Sequence, residues 1–290
     1  MDTFIIEEKW YSNPMKDKYS AIWVSHSSMS DYLKCPRAYY LRNVYRDPKS
    51  NKKISVMEPP LALGQAVHDA IEGLSKLSTE ERFATPLVER FEKSWENVAG
   101  EKGGFTSAEQ EQKSKERALS MITRVAAHPG PLLNKAIKIR QDLPYYWLSE
   151  NDNIILCGKV DWLEYLEDSD SVRIIDFKTG KFDEDPDSLQ LPIYYLLASH
   201  TQTKPIKAIS YWYLDRDDAP TDLPLPDPVE SEKRVLEIAK KVALARKLSH
   251  FVCREGGCRA CRPYEAVLSG QAKHIGLNAF GQDLYILNPS

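Results

Sequence analysis

Apolar residues first recur at helical spacing between 27 and 45. Tyr32, Leu33, Ala38, Tyr39 and Leu41 follow Ser27, Ser28 and Ser30, any of which can cap a first turn. Pro36 falls inside this stretch, so a break or kink is expected there. A polar connection over 46–60 leads to a second helix predicted at 62–77 (ALGQAVHDAIEGLSKL). Residues 79–127 are charged and mostly helical in pattern, with a glycine-rich break at 100–104. They read as an inserted helical subdomain, bounded at 79–130. The character then changes. Segments 135–148, 153–166, 171–178 and 206–214 are rich in Ile, Val, Tyr and Trp and predict strands. A helix is expected at 187–199, between the last two. Residues 217–228, with four prolines and four aspartates, form a loop. Val235, Ile238, Val242 and Ala245 predict a helix over 231–248. The cysteine-containing C-terminal region, 250–290, ends in a short strand, DLYIL. Helix, three strands, helix, strand describes a single α/β domain over 1–290, with a mixed central sheet flanked by helices.

Composition narrows the choice. The chain has 290 residues, 42% of them hydrophobic, which is enough for a sizeable core but too little for a helicase motor beside another catalytic domain. Neither a G-x-x-x-x-G-K-[ST] loop nor G-x-G-x-x-G is present, so no nucleotide-phosphate cradle is indicated. No apolar run approaches the roughly 18 residues that span a bilayer. The opening MDTFIIEEKWYSN lacks a basic-then-apolar targeting pattern, so a cytoplasmic location away from membranes is expected. Five cysteines do not make a disulfide scaffold; in a reducing compartment they point to metal, catalysis or burial.

The net charge is -3, but its distribution is uneven. Residues 34–53 carry seven Lys/Arg against one acid, 231–262 nine against three, and 152–188 eleven acids against four bases. Basic ends around an acidic middle suit a polyanion held beside a metal site, although most such runs are only solvated faces.

The acidic middle contains CGKVDWLEYLEDSDSVRIIDFKTGK, two strands around the turn EDSDS. If the hairpin is symmetric about 168–169, Asp161 lies opposite Asp176, with Cβ atoms about 5 Å apart. Opposed carboxylates are destabilising unless neutralised, and oxygen ligands suit Mg²⁺ or Mn²⁺. Lys178 shares a strand face with Asp176, and its ammonium can position a water and meet developing negative charge. D-x-K alone is common. What raises it here is the apolar company of Val160, Ile174, Ile175 and Phe177, because a buried strand carrying Asp and Lys needs a reason. The set describes metal-dependent hydrolysis of a phosphodiester.

With these residues in view, the chain resembles the RecB-like branch of the PD-(D/E)XK nuclease superfamily. GQAVHDAIE (64–72) resembles its histidine motif, GKVDWLE (158–164) its first acidic motif, IIDFKTGK (174–181) its D-x-K motif and QLPIYY (190–195) its Q-x-x-x-Y motif. SSMSDYLKCPRAYYLRNV (27–44) resembles its N-terminal helix with Cys-Pro-Arg. The resemblance implies a restriction-endonuclease-like core. It implies that His68, Asp161, Asp176 and the Phe177 carbonyl bind Mg²⁺ or Mn²⁺. Lys178, with Asp161 and Asp176, is implied to be catalytic, and Glu72 to be a supporting residue. Gln190 and Tyr194, one turn apart, and Arg37 are implied to bind substrate or orient the lysine. Basic side chains of 34–53 and 231–262 are expected to track phosphates, with Tyr39, Tyr40 and Tyr45 available to stack bases.

Cys35 and the late Cys253, Cys258 and Cys261 resemble the cysteine set of the iron–sulfur members of this branch, found in AddB-type subunits and CRISPR-adaptation nucleases. There a 4Fe–4S cluster clips the N- and C-terminal regions together. The family's late spacing is C-x2-C-x5-C; here position 267 is Val and Cys253 lies upstream instead, so zinc stands as the alternative. Cys157 reads as a small buried hydrophobe, and His26, His128, His200, His250 and His274 show no ligand pattern. The expected function is an exonuclease on single-stranded DNA or DNA ends, in repair, recombination or CRISPR adaptation. A helicase or a CRISPR-adaptation protein is the implied partner. The alternatives are a non-catalytic DNA-binding or assembly module, and a nuclease active only within a larger complex.

Overall fold

A computed structural model describes residues 17–139, 141 and 143–288. The opening segment read for targeting lies outside the described residues. No helix among them is long and apolar enough to cross a membrane.

The strands divide among three sheets rather than lying in one. The central, mixed sheet has the order β5 (Trp162–Leu166), β6 (Ser171–Lys178), β7 (Ile206–Tyr213), β8 (Thr221–Leu223); β5 and β8 run antiparallel to their neighbours, and β6 and β7 are parallel. A second sheet joins β1 (Ile22–Val24), β4 (Ile154–Cys157) and β3 (Tyr145–Ser149). A third joins β2 (Ile54–Val56), β10 (Asp283–Leu287) and β9 (Ala272–Leu277), tying the chain's early part to its end.

The helices are α1 (His26–Lys34), α2 (Pro36–Tyr39), α3 (Pro59–Glu72), α4 (Leu87–Trp95), α5 (Ala108–Ala127), α6 (Gln190–Thr201), α7 (Pro228–Leu248) and α8 (Arg262–Leu268). The expected break near Pro36 falls at Cys35, whose extended backbone ends α1 and lets Pro36 open α2. Pro192 is accommodated in the first turn of α6.

Strand alternation sorts the core into two. Trp162, Ile175, Phe177 and Trp212 face α3, α4 and α5, so the helices of the charged block share one core with the sheet. Leu163, Ile174, Ile209 and Tyr211 face α6 and α7. Fully burying such side chains contributes about 1.5–3 kcal/mol each. Since Asp176 and Lys178 alternate with Ile175 and Phe177, they fall on the α6 face.

Two strand predictions need correction. Segment 153–166 is two strands in different sheets, separated at Gly158-Lys159-Val160-Asp161. A Cβ at Gly158 would lie 3.0 Å from Leu197 Cδ1, so glycine lets α6 come close at the break. Segment 135–148 is extended in two pieces: Ala136 bridges to Glu164 on the edge of β5, and only Tyr145 onward joins β4. Strands β1, β2, β8 and β9 and helix α8 carry no clear sequence signal; each is short and held by partners distant in sequence.

Candidate active site

Hairpin pairing follows the symmetric register, with Trp162 opposite Ile175 and Leu166 opposite Ser171. Asp161 stands one residue before β5, level with Asp176. Freed from the ladder by the break, its Oδ2 accepts the Phe177 amide proton at 3.0 Å. Helix α3 comes in from the other side. A Cβ at Gly64 would lie 3.2 Å from Thr179 Oγ1, a close approach just past Lys178, and His68 follows one turn on. His68 Nδ1 lies 2.8 Å from Glu72 Oε1 and 3.6 Å from Asp161 Oδ2. Its ring meets Phe177 edge-on, centroids 6.2 Å apart.

His68, Glu72 and Asp161 each offer a ligand atom within 4.8 Å of the others. Glu72 thus stands among the candidate ligands rather than behind them; its signal in the sequence is the four-residue step from His68. Asp176 turns its carboxylate toward Lys178 and α6. Its Oδ2 is buried without a hydrogen bond, lying 3.0 Å from Lys178 Nζ as an ion pair outside hydrogen-bond alignment. The imidazole of His68 and the carboxylates of Glu72 and Asp161 fit a divalent cation, whereas Asp176, expected as a ligand, is turned to Lys178 and lies outside this cluster.

The electrostatics agree. Burial, then the charge of Asp176, pushes the Asp161 carboxyl well above the usual carboxylate range. Burial also raises Asp176, against the pull of Lys178. Burial opposes protonation of His68, but the Glu72 hydrogen bond and the charges of Asp161, Glu72 and Asp176 prevail, raising it to about 9.

Lys178 is clamped. Its ammonium pairs with Asp176 and, at 2.8 Å, with Glu184 Oε2, and it donates to Gln190 Oε1. Burial opposes its charge, but Asp176 and Glu184 hold its pKa above the ordinary lysine value. Gln190 Nε2 donates to Asp176 Oδ1 at 2.7 Å and to Tyr194 Oη at 3.2 Å. Gln190 and Tyr194 are each only 9% exposed, and Gln190 bridges the carboxylate of Asp176 and the ammonium of Lys178. Glu184 has no sequence signal: it is one of four acids in 183–187, singled out only because its amide donates to Tyr213 Oη, 2.9 Å away. His26, passed over in the sequence, lies near this side of the site; burial lowers its pKa to about 4, against the charge of Glu184.

Other expected substrate contacts are engaged elsewhere. Arg37 makes a two-pronged pair with Glu265 of α8, at 2.6 and 3.3 Å, which uses its guanidinium fork beside the cysteines. Tyr39 is 1% exposed in the core, and Tyr40 stacks on Phe251 and packs edge-on against Tyr45.

Cys35, Cys253, Cys258 and Cys261 bring their sulfurs within 4.8 Å of one another. Cys258 and Cys261 lie 3.8 Å apart. Amide hydrogen bonds, chiefly from Glu255, lower the Cys253 thiol to about 7, toward the thiolate that metals bind, whereas burial raises Cys261 to about 12. Four cysteine sulfurs in one cluster fit a tetrahedral metal ion or an iron–sulfur cluster equally. Cys157 is buried, with its thiol facing the Val24 carbonyl.

The profile of the PD-(D/E)XK nuclease superfamily matches residues 23–267. The chain belongs to the PD-(D/E)XK nuclease superfamily. The match spans the hairpin, α3, Lys178 and all four clustered cysteines. Among solved structures, this nuclease is similar to one described as a "putative exonuclease" from Eubacterium rectale, at 14% identity and a TM-score of 0.47, covering 90% of this chain and 93% of that one. No curated protein matches the sequence.

Proposed function

We propose that this nuclease is a Mg²⁺- or Mn²⁺-dependent deoxyribonuclease, acting as an exonuclease on single-stranded DNA or DNA ends. The observation that carries the hydrolytic reading is the Asp161/Asp176/Lys178 set, complete and held in place by Gln190 and Glu184. His68, Glu72 and Asp161 are the residues that would hold the cation, with the Phe177 carbonyl as a further ligand. When bound, the cation supplies Lewis-acid polarisation of the phosphate and a more acidic water. Lys178 sets its positive charge where charge develops on a phosphodiester in the transition state. Asp161 and Asp176, at the sheet's end, orient that centre, and Gln190 keeps carboxylate and ammonium in register. The cysteine cluster would hold a 4Fe–4S centre, with zinc as the alternative, tying the start of α2 to the C-terminal region. Unpaired cysteines suit a reducing, cytoplasmic compartment. The exonuclease preference rests on the histidine motif around His68.

The test is cleavage of end-labelled single- and double-stranded DNA and a circular control in Mg²⁺ or Mn²⁺, comparing wild type with Asp176→Ala. Loss of linear DNA in the wild type alone, with circles spared, is expected. Cut circles would replace the exonuclease with an endonuclease, and no metal-dependent cleavage would overturn the catalytic reading.

A further inference from the structure

Three lysines converge beside the candidate ligands from separate parts of the chain. Lys76 follows α3 in the turn 73–76, Lys138 follows the bridge at Ala136, and Lys159 sits in the break between β4 and β5. All three are exposed and line one cleft of about 280 Å³, whose wall also includes Glu72 and Asp161. None has an ion-pair partner among the described residues. Lysines at the opposite end of the sheet differ: Lys135 pairs with Glu167 and Lys204 with Asp170. Three ammonium groups free of close ion pairs around one small cleft are available to a phosphate that enters it. The cleft's wall also carries three acids: Glu72 and Asp161 belong to the candidate cation cluster, and Asp69 feels the charge of Lys76, so a bound divalent ion leaves the cleft with surplus positive charge.

We propose that Lys76, Lys138 and Lys159 form a phosphate-gripping collar that holds the backbone of the DNA strand on the carboxylate side of the active site. The collar rests on the nuclease reading and adds where the strand lies. It gives affinity without sequence preference, because phosphates carry no base information. It also stands apart from Lys178, whose ammonium is committed to Asp176 and Glu184.

The test is binding of a fluorescently labelled oligothymidylate, followed by anisotropy over a range of salt, with Ca²⁺ in place of Mg²⁺ and strand integrity checked on a gel. Each single-strand phosphate contact contributes about 0.7 to the slope of log affinity against log salt. Replacing all three lysines by Gln is therefore expected to reduce that slope by about 2. The matching triple Gln variant of Lys135, Lys204 and Lys207 should leave it unchanged. Wild-type binding with the same slope in the collar variant would overturn the collar and leave the nuclease reading standing. A wild type that binds no strand at all would overturn both.

Discussion

Gln190→Ala removes one side chain that makes three hydrogen bonds inside the site. Nε2 donates to Asp176 Oδ1 and Tyr194 Oη, and Oε1 accepts from Lys178. The dominant loss is at Asp176, only 1% exposed, whose other oxygen already lacks a hydrogen bond. A hydrogen bond to a charged group is worth about 1.5–3 kcal/mol. With the two weaker contacts, destabilisation should reach about 2–4 kcal/mol. At about 2.1 cal/mol/K of unfolding entropy per residue, 290 residues give about 0.6 kcal/mol/K. The melting temperature should therefore fall by about 3–7 °C, read by calorimetry in chelator. Cleavage should fall about 10–100-fold, as when groups supporting a metal site are removed. Gln190→Glu sharpens the test. It restores an acceptor for Lys178 but no donor for Asp176, and it adds a carboxylate, so it should not rescue and should be less stable at pH 8 than at pH 5. Variants melting within about a degree of wild type, with cleavage within about twofold, would refute the claim that Gln190 keeps carboxylate and ammonium in register.

Three further outcomes follow from the same geometry. Asp161, raised by burial and by Asp176, binds its proton more tightly folded than unfolded, so its contribution to stability falls as pH rises above about 3.9; denaturant titrations in chelator should show Asp161→Asn gaining on wild type from pH 4 to 8, and a constant or shrinking difference would contradict this. Cys35 and Cys253 lie 218 residues apart, and a cross-link closing such a loop is worth up to about 5 kcal/mol in the chain-entropy picture. Cys35→Ser should therefore lose bound metal and melt markedly lower, and retention of both metal and melting temperature would exclude a four-thiolate centre. Arg37→Ala breaks a partly exposed pair worth about 0.2–1 kcal/mol, so DNA affinity should stay within about twofold; a large loss in a binding titration would return Arg37 to the substrate.

How far the site could be read from the sequence depended on how local its geometry is. Asp161, Asp176 and Lys178 were accessible because a tight turn and period-two alternation fix their register within a single hairpin. His68 was accessible through its motif, whereas Glu72, fixed beside it by one helical turn, was legible only as a supporting residue because spacing alone does not show that its carboxylate joins the cluster. Glu184 was not, because a loop residue's position is set by the tertiary contact to Tyr213 rather than by spacing. Arg37 and Tyr39 show the opposite case. Their composition suits a phosphate and a base, yet Glu265, distant in sequence, takes the guanidinium, and the core takes the ring.

The division of segment 153–166 shows why such misses gather near the chemistry. A continuous strand would satisfy its backbone through the ladder and leave Asp161 one more alternating side chain. Breaking the strand at Gly158 gives up ladder hydrogen bonds, moves β4 into another sheet and releases the four residues before β5. Asp161 then accepts the Phe177 amide and comes within reach of His68, while Lys159 turns into the cleft beside Glu72. Hydrophobic patterning reports what favours the fold, and here it favours one long strand. The site requires the interruption, and the glycine against Leu197 together with the lone Lys-Val-Asp step is the only trace of it in the sequence.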